Sequence, residues 1–545
     1  MKKHLIALAA IAGLAGSLPA RAATLELINV DPPGIGFNDT TAATPVGGNP
    51  GTTIGAQRLN AYQRALQLWG RTLASTVTVY VRGSFARLNC TATGGVLAQA
   101  GAWSIFADFP GAPLPGHWYH SALADAISGL DLAQIEDGAP PGEPDIQANF
   151  NGAVGEPDCI AGPGWYYGLD NNAPAGQTDF LDTFMHEVSH GLGFSNFANE
   201  QTGSRPANLP DVYMANTFDL SYGELWNTTY YEQFGLTAAF IRASSINTGN
   251  VVWVGPKVTA GAPLILGPYQ GIRLTGTLNQ ELVFGTASFG AAPTAQNFGG
   301  PLVIGLDGTT IGASTTDGCE AFTNAADVAG KIAFVDRGSC GFAVKAANAQ
   351  AAGAKGLVIG NNQATGAIGL GGSDPAVTIP TISVSQADGT AIKAASPGVS
   401  IEFFVDPTRL AGTNQGYVRL YAPAVVALGS SISHWDTVAT PNLLMEPFSN
   451  ADTRAATNLD LTPALMQDIG WKLETLKIGG CDSGVAATLA DGRLLHVDVE
   501  QCRAGAKNKG AAVGCLAKVT GAAVTAGLLT TAQKDAVMSC AGRGF

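Results

Sequence analysis

The sequence predicts an α+β protein in which one α+β unit is split by a β-rich insertion and followed by a small, disulfide-stapled helical segment. Three observations predict it. The chain has 545 residues, more than one hydrophobic core usually serves. Residues 23–255 and 408–476 mix helical and alternating apolar patterns, whereas residues 256–407 turn to glycine, alanine and valine in short apolar runs broken by turns. Residues 477–545 hold four of the eight cysteines, Cys481, Cys502, Cys515 and Cys540.

The elements follow in chain order. Lys2 and Lys3 precede an apolar run, and Ala20-Arg21-Ala22 fits a small-residue cleavage site, so residues 1–22 are expected to be an export signal. Residues 24–30 read as a first strand. Leu59, Tyr62, Leu66, Trp69 and Leu73 recur at steps of three and four, the stripe of an amphipathic helix over residues 55–75. Val77, Val79 and Val81 alternate, which predicts a half-buried strand over 76–81. A second helix is expected over 119–130 and an extended piece at 146–150. Thr178 or Asp179 then caps a helix that runs to Gly191 and carries Phe180, Leu181, Phe184, Met185 and Val188 on its apolar side. Within the insertion, residues 331–335, 343–352 and 357–359 read as strand, helix and strand, one βαβ unit. Helical pieces over 510–523 and 531–540 complete the tail.

Apolar residues make up 46% of the chain, charged residues 13%, and there are 70 glycines, which suits a folded, loop-rich protein. The net charge of -13 comes from scattered acids, so nucleic acid is not an expected partner. No stretch after the signal offers about twenty uninterrupted apolar residues, so no membrane span is expected. An even number of cysteines in an exported chain predicts disulfides: Cys90 with Cys159, Cys319 with Cys340, and the last four among themselves. No C-x-x-C occurs, which speaks against a zinc-cysteine site. The expected location is extracellular or periplasmic, and the oligomeric state is open.

The chemistry centres on His186-Glu187-Val188-Ser189-His190. On a helix the two imidazoles at i and i+4 share one face and reach one metal, and Glu187 stands one step round, placed to take a proton from a water on that metal. Zinc is the expected cofactor. A catalytic zinc needs a third protein ligand and an open position. Gly193 follows the motif where the chain must turn sharply, but Asn196 stands three residues on, and a neutral amide is a poor zinc ligand. The third ligand therefore comes from elsewhere. With only seven histidines in the chain the choice is short. His4 leaves with the signal and His496 is expected on the surface of the tail, so His117, His120 and His434 remain.

Downstream the chain reads Gly429-Ser430-Ser431-Ile432-Ser433-His434-Trp435-Asp436 and then Asn442-Leu443-Leu444-Met445-Glu446-Pro447. Together with the first motif this resembles the leishmanolysin-like metzincins. The resemblance implies that His434 is the third ligand, that Met445 forms the Met-turn beneath the metal, and that residues 461–471 form the closing helix. It implies a metzincin-type catalytic domain in two pieces, 23–255 and 408–476, and a secreted zinc metalloendopeptidase acting on proteins or peptides. The insertion resembles a protease-associated (PA) domain in Gly318-Cys319, in Gly330-Lys331-Ile332-Ala333-Phe334-Val335-Asp336-Arg337-Gly338-Ser339-Cys340 and in Ala352-Gly353-Ala354-Lys355-Gly356. Such domains are non-catalytic lids or substrate-binding modules. Two alternatives stand: a retired metzincin serving as an extracellular binding module, which the intact Glu187 argues against, and a zinc hydrolase acting on something other than peptides. Calcium near Asp170 and Asp179 is open, with no EF-hand spacing to support it.

Overall fold

A computed structural model describes residues 2–5 and 22–545 apart from 93, 313, 365, 373 and 451. Most of the expected export signal therefore lies outside the described residues. The chain forms two compact units, one of Met1–Gly267 with Gly412–Phe545 and one of Pro268–Ala411.

In the first unit four strands lie in the order Leu25–Asn29, Val79–Ala86, Ile146–Asn151, Ala98–Ala102; the first three are parallel and the last is an antiparallel edge. Val79–Ala86 alternates buried and half-buried residues along most of its length. It starts later than the valine alternation suggests, because the Ser75 hydroxyl bonds the Val77 backbone in a local turn. Helix Ile54–Thr72 is capped by Thr53, whose side chain accepts from the Ala56 N–H, and buries Tyr62, Leu66 and Trp69. A second helix, Phe180–Leu192, packs against it and against the edge strand. Their shared core is aromatic: Tyr62 lies 4.0 Å from Phe184 between ring centroids, and Phe150 lies 5.0 Å from Phe180. Fully burying rings of this size contributes about 1.5–3 kcal/mol each, so the helix is pinned by its apolar stripe.

The two pieces of this unit meet in an antiparallel sheet where Val251–Trp253 pairs with Tyr417–Arg419. The boundary of the insertion differs from the sequence reading. Residues 256–267 share its glycine- and alanine-rich composition, yet Pro256–Ile265 is a helix of the first unit. It packs on Thr462–Ile469, and the Asp468 carboxylate accepts from the N–H groups of Lys257 and Val258. That cap comes from more than 200 positions away, which composition does not reveal. At the far end the second unit likewise runs to Ala411 rather than 407, because strand Val399–Leu410 continues past the expected limit.

The C-terminal part is a hairpin, Thr475–Ile478 and Cys481–Ala486, with three helices, Leu495–Ala504, Lys509–Thr525 and Thr531–Gly544. Leu476, Leu495, Leu516 and Val537 form its core, and disulfides Cys481–Cys540 and Cys502–Cys515 staple it. His496 is buried here rather than exposed, with both ring nitrogens unpartnered. Burial, reinforced by Arg71 and Arg64, pushes its pKa down to about 3, so it is a neutral packing residue.

The second unit is built on an eight-stranded sheet. Gly299–Ile304, Ile332–Asp336, Gly356–Gly360 and Thr381–Val384 are parallel neighbours, and Val399–Leu410 and Pro268–Gly276 extend the sheet antiparallel. Helix Phe342–Ala351 connects two parallel strands, the βαβ unit read from the sequence. Its buried alanines Ala346 and Ala349 join one apolar cluster, while Phe298, Phe334 and Val358 belong to another. Cys319–Cys340 and, in the first unit, Cys90–Cys159 pair as expected. No helix among the described residues is long and apolar enough to cross a membrane.

Candidate metal centre and cleft

Helix Phe180–Leu192 presents the motif. Asp179 caps it, its carboxylate accepting from the Asp182 N–H, and Gly193 ends it. Gly193 has a φ of +135°, and a side chain there would stand 2.3 Å from Ile469 Cδ1, so a glycine is required on two counts. His186 and His190 project from one face. His434 arrives from the second piece of the unit, and one nitrogen from each of the three rings lies within 4.8 Å of the others. His186 Nε2 is 3.1 Å from His434 Nε2 and 3.1 Å from His190 Nε2.

The second nitrogen of each ring decides the tautomers. His186 Nδ1 lies 2.7 Å from the Leu444 carbonyl, His190 Nδ1 2.8 Å from that of Phe194, and His434 Nδ1 2.9 Å from that of Ser430. A carbonyl only accepts, so all three Nδ1 atoms carry protons and all three Nε2 atoms are bare lone pairs. Burial pushes His186 down to about 4 and His190 to about 3, and burial with its two neighbouring imidazoles pushes His434 down as well, so none gains a second proton near neutral pH. Converging lone pairs 3.1 Å apart repel one another unless a cation sits between them. Two nitrogens bound to tetrahedral zinc stand about 3.3 Å apart, close to the spacing found, and an Nδ1–H to carbonyl bond is the usual device that orients a ligating histidine. The residues fit zinc.

Glu187 is buried, among the described residues it is in no ion pair, and burial pushes its pKa up to about 8. Met445 is fully buried, and its carbonyl accepts from the Trp435 N–H, which ties the segment carrying His434 to the segment whose Leu444 carbonyl holds His186. Asn196 is placed to clasp rather than to ligate: its amide donates to Ser433 Oγ at 3.1 Å and to Glu200 at 3.1 Å, beside His434. His117 and His120 are not in the three-histidine cluster, although His120 packs beside it against Phe197. His117 bonds Pro115 and Asn227, and the fully buried His120 bonds Ser195 Oγ at 2.8 Å.

Sequence reasoning missed Asp182. One turn before His186, its carboxylate accepts from Asn171, from the Ala455 N–H and from Thr453 Oγ1, fastening the helix to residues 453–455. Its acidic side chain next to Phe180 and Leu181 at the start of the helix is the signal the sequence offers. The histidines open onto a cleft of about 760 Å³ lined by the edge strand Ala98–Ala102 and by Asp182, Phe197, Glu200, Leu428, Glu446 and Asn450 among others. An unpaired edge strand beside the metal residues can add an extended chain by backbone hydrogen bonds.

Residues 298–392 match the family model of the PA domain, and the second unit therefore carries a PA domain. Among solved structures the chain is similar to BSAP, a zinc aminopeptidase from Bacillus subtilis, at 24% identity over 28% of this chain and 37% of that one, with a TM-score of 0.19. The aminopeptidase from Aneurinibacillus sp. strain AM-1 is 20% identical over 28% and 38%, with a TM-score of 0.19. A peptidase M28 precursor from Shewanella amazonensis SB2B is 19% identical over 28% and 40%, with a TM-score of 0.18. The chain spans less than half the length of each of these proteins. No curated protein matches the chain.

Proposed function

We propose that this chain is a secreted zinc endopeptidase of the metzincin type, with His186, His190 and His434 as zinc ligands, Glu187 as general base and proteins or peptides as substrates. The observation that carries the reading is the convergence of three Nδ1-protonated imidazoles on one point at the floor of a cleft. Zinc, when bound, supplies Lewis acidity and makes a water acidic enough to be activated near neutral pH. Glu187 is adjacent to the ligands without being one. Its carboxylate would take the proton from the attacking water and return it to the departing amine. The edge strand favours an extended peptide lying across the cleft, which supports internal cleavage. The four disulfides support an oxidising, extracytoplasmic location. The PA domain is proposed as a substrate-binding or lid module.

The test is zinc content together with casein hydrolysis, with and without a chelator, on the wild type and on Glu187→Gln. One zinc per chain with chelator-sensitive cleavage that is lost in the variant supports the reading. Zinc without cleavage by the wild type would favour a hydrolase of another substrate class, and absence of zinc would favour the retired binding module.

A further inference from the structure

Ser195 stands just beyond the turn at Gly193 and lines the cleft, half-buried, together with Glu187 and His190. Its hydroxyl is held from the interior. His120 Nε2 lies 2.8 Å from Ser195 Oγ, and the His120 ring is fully buried against Phe197, at 4.4 Å between ring centroids, and is not part of the cleft lining. The other ring nitrogen, Nδ1, meets no partner among the described residues. Burial pushes the ring's pKa down to about 3, so the imidazole is neutral and carries one proton. On Nδ1 that proton would make a buried N–H without an acceptor, which protein interiors rarely hold; on Nε2 it is donated to Ser195 Oγ. Ser195 Oγ therefore accepts from His120 and keeps its own O–H to give.

That O–H is loosely engaged. Its contact within the protein is the His190 carbonyl at 3.3 Å, longer than the usual O–H···O bond of about 2.7–2.8 Å. The same carbonyl accepts from the Gly193 N–H, so the hydroxyl can turn away without stranding an acceptor. A hydroxyl that accepts one hydrogen bond is polarised to donate another. An extended peptide paired with the edge strand Ala98–Ala102 would turn the carbonyls of alternate residues to the strand and leave the others in need of donors elsewhere in the cleft.

We propose that Ser195, oriented by His120, donates its hydroxyl hydrogen to a backbone carbonyl of the peptide bound in the cleft. Ser195 is the group that touches substrate, and His120 is a positioning residue that acts through it. This rests on the peptidase reading and adds a substrate-binding residue to it.

The test is steady-state cleavage of an internally quenched, casein-derived peptide by the full-length, zinc-loaded protein, as wild type, Ser195→Ala, Ser195→Thr, His120→Phe and the Ser195→Ala, His120→Phe double variant, with zinc content measured on each. Ser195→Ala is expected to raise KM by about 3- to 10-fold, the weight of one hydrogen bond, with kcat within about two-fold and zinc retained. Ser195→Thr keeps the hydroxyl and is expected to bring KM back to within about two-fold of the wild type. His120→Phe fills the same space against Phe197 without an N–H; it is expected to raise KM as Ser195→Ala does, and to add nothing in the double variant. An unchanged KM in Ser195→Ala, loss of its zinc, or a Ser195→Thr no better than alanine would overturn the contact. Effects that multiply in the double variant would overturn the role of His120, and if His120→Phe does not fold, the two Ser195 variants decide alone. A zinc-loaded wild type that cuts no peptide would overturn the peptidase reading itself and this inference with it.

Discussion

Each of His186, His190 and His434 spends its Nδ1 proton on a backbone carbonyl, and that one hydrogen bond per ring sets which nitrogen is free. Removing a ring removes a ligand. His434→Ala is expected to lose zinc by mass spectrometry of the metal content, whereas His117→Ala, whose ring bonds Pro115 and Asn227 away from the centre, is expected to keep it. Glu187→Gln keeps the shape and all three ligands, so zinc should remain while turnover falls by about 10²–10⁴, the usual range for a lost acid–base group. Wild-type activity in the variant would remove Glu187 from the mechanism. His186, Glu187 and His190 were legible because their spacing carries the chemistry locally. Asn196 illustrates the opposite: its unsuitability as a ligand could be read, but its clasp on Ser433 depends on a segment far along the chain.

The helix that carries the motif is decided partly by its neighbours. Gly191 lies within it, and intrinsic propensity alone would make alanine there more stable by about 1 kcal/mol. A Cβ at Gly191, however, would stand 2.3 Å from Ile146 Cγ2 and 2.8 Å from Cγ1, inner atoms of a stiff β-branched side chain on the adjoining strand. Gly191→Ala is therefore expected to destabilise the protein, by about 1–3 kcal/mol of overpacking, and to weaken zinc binding next door at His190. A denaturation curve shifted to higher denaturant would contradict this. On the strand's other flank, Asp145 is paired with Asp125 of helix Ser121–Ser128. Burial and mutual repulsion push Asp125 up to about 9, and burial, chiefly, pushes Asp145 up to about 7, both from 3.8. The folded state then holds more protons than the unfolded chain between about pH 4 and 9, so stability falls as pH rises through that window. Asp125→Asn can donate its amide to Asp145 and still accept from the Leu132 N–H, and should flatten the decline. Melting temperatures at pH 5, 7 and 9 test it; an unaltered decline would show that the pair is not its source.

At the scale of the whole molecule, the three-histidine cluster brings together segments that the insertion keeps apart in sequence. Every proposed ligand belongs to the first compact unit, while Pro268–Ala411 has its own sheet and apolar clusters. A ligand that binds only the folded state stabilises it by mass action. Calorimetry with and without a chelator is expected to show one transition that moves down on zinc removal and one that does not; movement of both together would contradict independent cores. The two units were visible as a change of composition, but the border was not. Residues 256–267 look like the insertion and belong to the first unit, because Asp468 caps their helix.

The sequence by itself determined what local spacing encodes: the helix carrying His186, Glu187 and His190, the change of character at the insertion, the βαβ unit within it and the cysteine content. These are short-range periodicities and residue chemistries, and they survive in a one-dimensional reading. The tertiary structure alone decided which tail cysteines pair and that His496 is buried. It also decided that Asp182 fastens the motif helix to residues 453–455, since each of these outcomes is a contact between residues far apart in the chain. Such contacts depend on how the elements pack to bury apolar surface, and packing has no signature at the position of either partner alone.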